Sequence, residues 1–198
     1  MEVSTNSPHR APTLSADAAG DRLRSASRDR VRVIHTLGPQ GTNLAAAAAL
    51  WLASRGHEPC IQLHDTVEHA AASMPRSPSQ ALLTCAVYPR LHELVFQHRA
   101  WLEFIDCFIA PTLPMVLASR DGGMPERVAS HPAPLGLVPA GCATVLATSN
   151  AQAAIDCATG AAEGCITTLR AMEQNGLRLV RDFGPVPMVF TLHGVVPE

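Results

Sequence analysis

Lysine is absent from the 198 residues, so all 15 cations are arginines, set against 17 carboxylates for a net charge of -2. That balance excludes the basic stripe of a nucleic-acid binder. The six cysteines (Cys60, Cys85, Cys107, Cys142, Cys157 and Cys165) form no C-x-x-C pair, and several lie in apolar runs such as Leu82 to Val87. Buried, reduced thiols are expected rather than a disulfide framework. No apolar run approaches the about 18 residues of a membrane span. The N-terminus also has no apolar signal-peptide core, so a cytoplasmic protein with no membrane contact is expected. The nine histidines show neither H-E-x-x-H nor paired Cys/His spacing. Neither a metal nor a cofactor is therefore expected. A G-x-S-x-G elbow and internal repeats are missing too.

What is present is apolar. The hydrophobic fraction is 47% and the charged fraction 16%, which excludes disorder of the whole chain. The length allows one domain or two small lobes with a real core. Residues 1–29 mix Ser, Ala, Pro, Asp and Arg without periodicity and read as a flexible tail. From Val31 the chain alternates. Short apolar strands are predicted at Val31–Leu37, Cys60–Leu63, Ala81–Val87, Phe104–Ile109, Met115–Ala118, Arg127–Ser130, Ala143–Ala147, Gly164–Thr167, Leu177–Phe183 and Val189–Leu192. Helices are predicted at Asn43–Ser54, Thr66–Ser73, from Pro132, at Ala151–Cys157 and at Thr168–Gln174. Such alternation predicts an α/β fold with largely parallel sheets.

Four polar junctions fall where predicted strands give way to helices, the place where open α/β sheets hold ligands. The first is Thr36-Leu37-Gly38-Pro39-Gln40-Gly41-Thr42-Asn43, whose glycines and helix start suit a carboxylate or phosphate. It matches neither the dinucleotide motif nor the P-loop, and an ordinary βα turn would carry the same residues. The others are Leu63-His64-Asp65-Thr66, Val128-Ala129-Ser130-His131-Pro132 and Ala147-Thr148-Ser149-Asn150-Ala151. His64 also reads as a structural histidine bonded to backbone.

In this order the segments resemble the catalytic domain of the prephenate dehydratase family over about residues 31–194. That family carries Leu-Gly-Pro-x-Gly-Thr, here Leu37 to Thr42, then Ser-His-Pro, here Ser130 to Pro132. A polar strand end before an alanine-rich helix follows, here Thr148 to Ala154. Two signatures depart. The family's Thr-Arg-Phe is replaced by Met188-Val189-Phe190, and its Val-Pro-Ile-Glu-Asn-Ser by Val87-Tyr88-Pro89-Arg90-Leu91-His92. Both departures, with Leu63-His64-Asp65-Thr66 and Pro187-Met188, resemble a specialised branch. That branch is the prephenate decarboxylases of bacilysin (anticapsin) and other natural-product biosynthesis.

The resemblance implies a two-lobed α/β fold of the type 2 periplasmic-binding-protein kind. Residues 30–198 would form the catalytic domain, lobe 1 from about 30–109 and 181–198 and lobe 2 from about 110–180. It also implies prephenate as substrate, loss of carbon dioxide with the ring hydroxyl retained, and a dihydro-4-hydroxyphenylpyruvate as product. Candidate binding residues are Thr36, Gly41, Thr42, Asn43, Tyr88, Arg90, Ser130, Ser149, Asn150, Ala151 and Val189. Arg90 is the side-chain cation best suited to a carboxylate, although a solvated surface arginine reads the same. Met188 is expected to withhold an acid from the ring oxygen, and His131, His64 and His92 are equal candidates for the ring proton. A dehydratase making phenylpyruvate, or a small-anion-binding module without catalysis, stays open, as does a homodimer.

Overall fold

A computed structural model describes residues 18–196. The first helix, α1, spans Ala18–Arg30. Twelve of its residues belong to the segment read as a flexible tail, and the structure corrects that reading from Ala18 onward. The reason is tertiary: Asp106 receives Arg28 at 3.3 Å, Arg55 at 2.9 Å and the Trp51 indole N–H at 2.9 Å. The end of α1 is thereby pinned to the body of the protein. Residues 1–17 of the expected tail lie outside the described residues.

The chain then builds two sheets. The first contains β1 (Val33–Leu37), β2 (Ile61–His64), β3 (Gln80–Cys85), β4 (Leu102–Pro111) and β10 (Pro187–Val195), in the order β2-β1-β3-β10-β4. The second contains β5 (Met115–Ser119), β6 (Arg127–Ser130), β7 (Ala143–Leu146), β8 (Gly164–Thr168) and β9 (Arg178–Gly184), in the order β7-β6-β8-β5-β9. In each sheet three strands run parallel, linked by crossover connections that are helical except between β6 and β7, where a loop makes the crossing. The fourth strand of each sheet runs against both its neighbours: β10 opposes β3 and β4, and β5 opposes β8 and β9. The sheets are therefore mixed rather than largely parallel. Strands that carry the chain between sheets have no crossover helix to fix their direction.

Each sheet builds a hydrophobic core against its helices, and the other face of the second sheet carries a smaller cluster of Met115, Leu117, Val128 and Ile166. In the first, α2 (Asn43–Ser54) buries Ala47, Ala48, Trp51 and Leu52 against Ile34, Leu82 and Leu192, while α3 (Val67–Ser73) adds Val67 and Ala70. In the second, α5 (Asn150–Ala158) and α6 (Leu169–Gln174) pack small side chains, including Ala153, Ala154, Cys157 and Ala171, against Val116, Ala118 and Cys165. The chain crosses between sheets after β4 and again before β10. There Thr112 and Val186 are tied twice, by Thr112 N–H to the Val186 carbonyl at 2.8 Å and by Val186 N–H to Thr112 Oγ1 at 2.9 Å.

Two local expectations change. Pro132 starts no α-helix, only a loop with a 3₁₀ turn at Leu135–Leu137, because Pro134 steers Ala133 away from helical angles. Conversely α4 (Leu91–His98) forms where no element was predicted; it buries only Leu94 and has no side-chain cap to announce it. Cys60 and Cys107 are exposed, contrary to the expectation of buried thiols, whereas Cys85, Cys157 and Cys165 are buried. No helix among the described residues is long and apolar enough to cross a membrane.

Candidate active site

A cleft of about 480 Å³ opens between the sheets, lined from both. That volume lies in the range of small-molecule sites. Its first-lobe wall is Leu37, Thr42, Asn43, Leu44, Cys85, Val87 and Tyr88, with Met188 and Phe190 from β10. Thr112, Met115 and Val186 form the crossing, and His131, Ala133, Pro134, Gly136, Leu137, Ser149 and Asn150 close the second-lobe side.

Two helix N-termini enter this cleft, one from each lobe. Thr42 caps α2: its Oγ1 accepts the Ala45 amide at 3.1 Å and donates to the Leu37 carbonyl at 3.0 Å, while its carbonyl takes the Ala46 amide. The amides of Asn43 and Leu44 are left without an intrahelical acceptor. Ser149 caps α5 in the same way, with Oγ accepting from Gln152 at 3.0 Å and its carbonyl from Ala153, which leaves the amides of Asn150 and Ala151. Each end adds its helix dipole to these amides, so both attract negative charge. Gly41 contributes backbone only: its φ of +93° turns the chain into α2.

A smaller recess of about 210 Å³ adjoins the cleft and shares Leu37, Tyr88 and His131 with it; Asp65, Thr66, Pro89, Arg90, Pro132, Ala147 and Thr148 complete it. Arg90 supplies its cation, held by Glu93 at 2.8 Å and Glu68 at 3.7 Å. Tyr88 donates its phenolic proton to Glu68 at 2.7 Å. Burial first, and then that carboxylate, push its pKa well above the ordinary phenol value. His131 accepts the Ala133 amide on Nδ1 at 3.2 Å, so its neutral ring carries the proton on Nε2. Burial lowers its pKa and favours that neutral form.

Of the predicted site residues, Thr42, Asn43, Tyr88, His131, Ser149, Asn150 and Met188 line the cleft, and Arg90 lines the recess. Ala151 is buried directly behind, in the first turn of α5. The remaining candidates sit elsewhere. Thr36 is sealed in the core, donating to the Leu83 carbonyl at 2.8 Å, and Ser130 is buried with its hydroxyl on the His131 carbonyl. His64 stacks on His35, with ring centroids 5.1 Å apart and His35 Nδ1 at 2.9 Å from His64 Nε2. His35 Nε2 faces Gln80 Oε1 at 2.9 Å and donates to it, so the His64 Nε2 proton serves His35 Nδ1. Burial, then His35 and His69, lower the His64 pKa. His92 is a surface residue of α4 with a side chain 72% exposed. Val189 is 40% exposed and lies on the face of β10 opposite Met188 and Phe190, as strand alternation dictates.

Cys85, Thr112, Met115 and Val186 were missed; all four sit near strand ends at the crossing, where only tertiary structure brings them together. Among the described residues no group of three or more His, Cys, Asp or Glu is placed to hold a metal.

No protein-family model matches the sequence. Prephenate decarboxylases from Bacillus subtilis and Bacillus amyloliquefaciens are 26% identical to it over 188 residues, covering 87% of this chain and 91% of theirs. Among solved structures, prephenate dehydratase from Arthrobacter aurescens in complex with L-Phe superposes with a TM-score of 0.60 at 20% identity, over 84% of this chain. This chain spans 61% of that dehydratase's length. A periplasmic VFT2 domain of Bordetella pertussis BvgS gives 0.55 at 16% identity, over 91% of this chain and 86% of that one. The protein is a distant relative of the prephenate decarboxylases, with the two-sheet α/β fold shared by prephenate dehydratase and periplasmic Venus-flytrap domains.

Proposed function

We propose that this chain is a cytoplasmic carboxy-lyase acting on prephenate, releasing carbon dioxide and keeping the ring hydroxyl. The observation that carries the reading is a pair of capped helix N-termini facing one cleft from opposite lobes, with the side chains of Met188 and Phe190, which carry no acid, on its β10 wall. Prephenate has two carboxylates, one on the ring and one on the pyruvyl arm. The α2 and α5 termini, with Arg90 in the recess, offer anion sites for both.

The ring meets Met188 and Phe190, which have no proton to give. The hydroxyl protons of Tyr88 and Thr42 are committed, the first to Glu68 and the second to the Leu37 carbonyl. Departure of the ring hydroxyl as water needs a proton donor within hydrogen-bond reach, and this wall withholds one. Loss of the ring carboxylate asks for less. The carbon–carbon bond breaks, carbon dioxide leaves, and the electron pair moves into the ring diene until a ring carbon takes up a proton. Of the three candidate histidines only His131 lines the cleft, and its Nε2 proton is the one we assign to that step. The product, a dihydro-4-hydroxyphenylpyruvate, is not aromatic, which suits a role in making a non-proteinogenic amino acid for natural-product biosynthesis.

The test is substitution of the three histidines in turn, with carbon dioxide release from prephenate as readout. His131→Ala is expected to cut kcat by about a hundredfold to ten-thousandfold, as removal of a general acid does. His64→Ala and His92→Ala are expected to stay near the unmutated rate. Full activity of His131→Ala overturns its assignment, and binding of prephenate without turnover by the unmutated protein favours an anion-binding module.

A further inference from the structure

We propose that Thr168, a residue outside the cleft, positions the α2 anion cradle from the opposite lobe; the inference rests on the prephenate reading above. Thr168 ends β8, is fully buried, and caps α6 by accepting the Ala171 amide at 3.1 Å. Its hydroxyl proton crosses the lobes to the Gly41 carbonyl at 3.3 Å. Gly41 is the left-handed turn that aims α2, and the next two residues carry the cradle. A second link holds the other side of the same turn: Asn43 Oδ1 accepts the Leu113 amide at 2.9 Å, at the crossing between lobes.

The turn at Gly41–Asn43 is thus fastened to the second lobe at both ends, whereas Thr42 itself spends its hydroxyl within the first. This sets the direction in which the Asn43 and Leu44 amides face the α5 terminus. Loss of the Thr168 proton leaves the Gly41 carbonyl unpaired and lets the cradle swing. Binding should suffer and the chemical step should not, because no reacting atom touches Thr168.

The experiment compares Thr168→Val, which is nearly isosteric but has no hydroxyl, with Thr168→Ser, which restores it. Calorimetric Kd and KM for prephenate are expected to rise about fivefold to tenfold in Thr168→Val, the loss tied to one hydrogen bond. Its kcat is expected to stay within about twofold, and Thr168→Ser is expected to recover unmutated binding. Should Thr168→Val not fold, Thr168→Cys carries the same comparison, since a thiol is a weak donor. A lower Tm with unchanged Kd and KM means that Thr168 only caps α6, and overturns the proposal. If the unmutated protein does not bind prephenate, the substrate reading fails and this inference with it; equal binding by both proteins defeats the inference alone.

Discussion

Met188 and Val189 are neighbours in sequence, yet strand alternation gives them different surroundings, the cleft for one and the outer face of β10 for the other. Met188→Thr is expected to raise the phenylpyruvate share detectably, and Val189→Arg to leave the product ratio unchanged, as measured by chromatography of the products. Conversion stays incomplete because the Tyr88 to His92 segment keeps its own sequence; equal effects from the two variants would contradict the placement of these side chains. Gly41 invites a second test. A Cβ there would lie 3.0 Å from Gln174 Oε1, on a backbone with φ of +93° that β-branched residues avoid. Gly41→Val is expected to raise the prephenate KM by about tenfold, since strain of about 1–2 kcal/mol falls on the cradle itself. An unchanged KM in steady-state kinetics would show that the turn does not aim the amides.

The helix caps at Thr42 and Ser149 and the strands around them were legible in the sequence, because capping is local chemistry: a hydroxyl, two or three residues, one amide. Elements whose order comes from distant partners were not legible. The helix α4 has a single buried side chain and no cap, and α1 depends on Asp106, 78 residues beyond Arg28. Asp106→Ala strands the Trp51 indole N–H and the Arg55 guanidinium, at a cost of about 2–3 kcal/mol. Amide exchange over Ala18–Arg30 is expected to quicken in that variant, and unchanged protection would mean that α1 is held by something else. Ser149→Ala removes the α5 cap, worth about 1 kcal/mol or about 2–4 °C in Tm for a chain of this size. Thermal melts check it.

For the molecule as a whole, α/β alternation gave the class, but strand direction in the two sheets waited on the crossings at Thr112 and Val186, which local pattern does not encode. Acid stability is a property at this level too. Burial lowers the pKa of His193 to about 4, and those of His131 and His64 also fall. In the unfolded chain all three take up protons near about pH 6.5. As pH drops from there towards 4 the unfolded state therefore binds more protons, and stability is lost. His193 alone accounts for about 2 kcal/mol between neutrality and pH 5. Tm is expected to fall over that window and to fall less in His193→Gln; parallel curves would assign the acid sensitivity to other groups.

The fate of the ring hydroxyl bears on all of this chemistry. The unmutated protein incubated with prephenate in D₂O, followed by NMR and mass analysis, is expected to release carbon dioxide. The expected product keeps the hydroxyl and carries one deuterium on a ring carbon, without aromatic signals. Phenylpyruvate as the main product would contradict the account, because it would mean that an acid reaches the ring oxygen despite Met188.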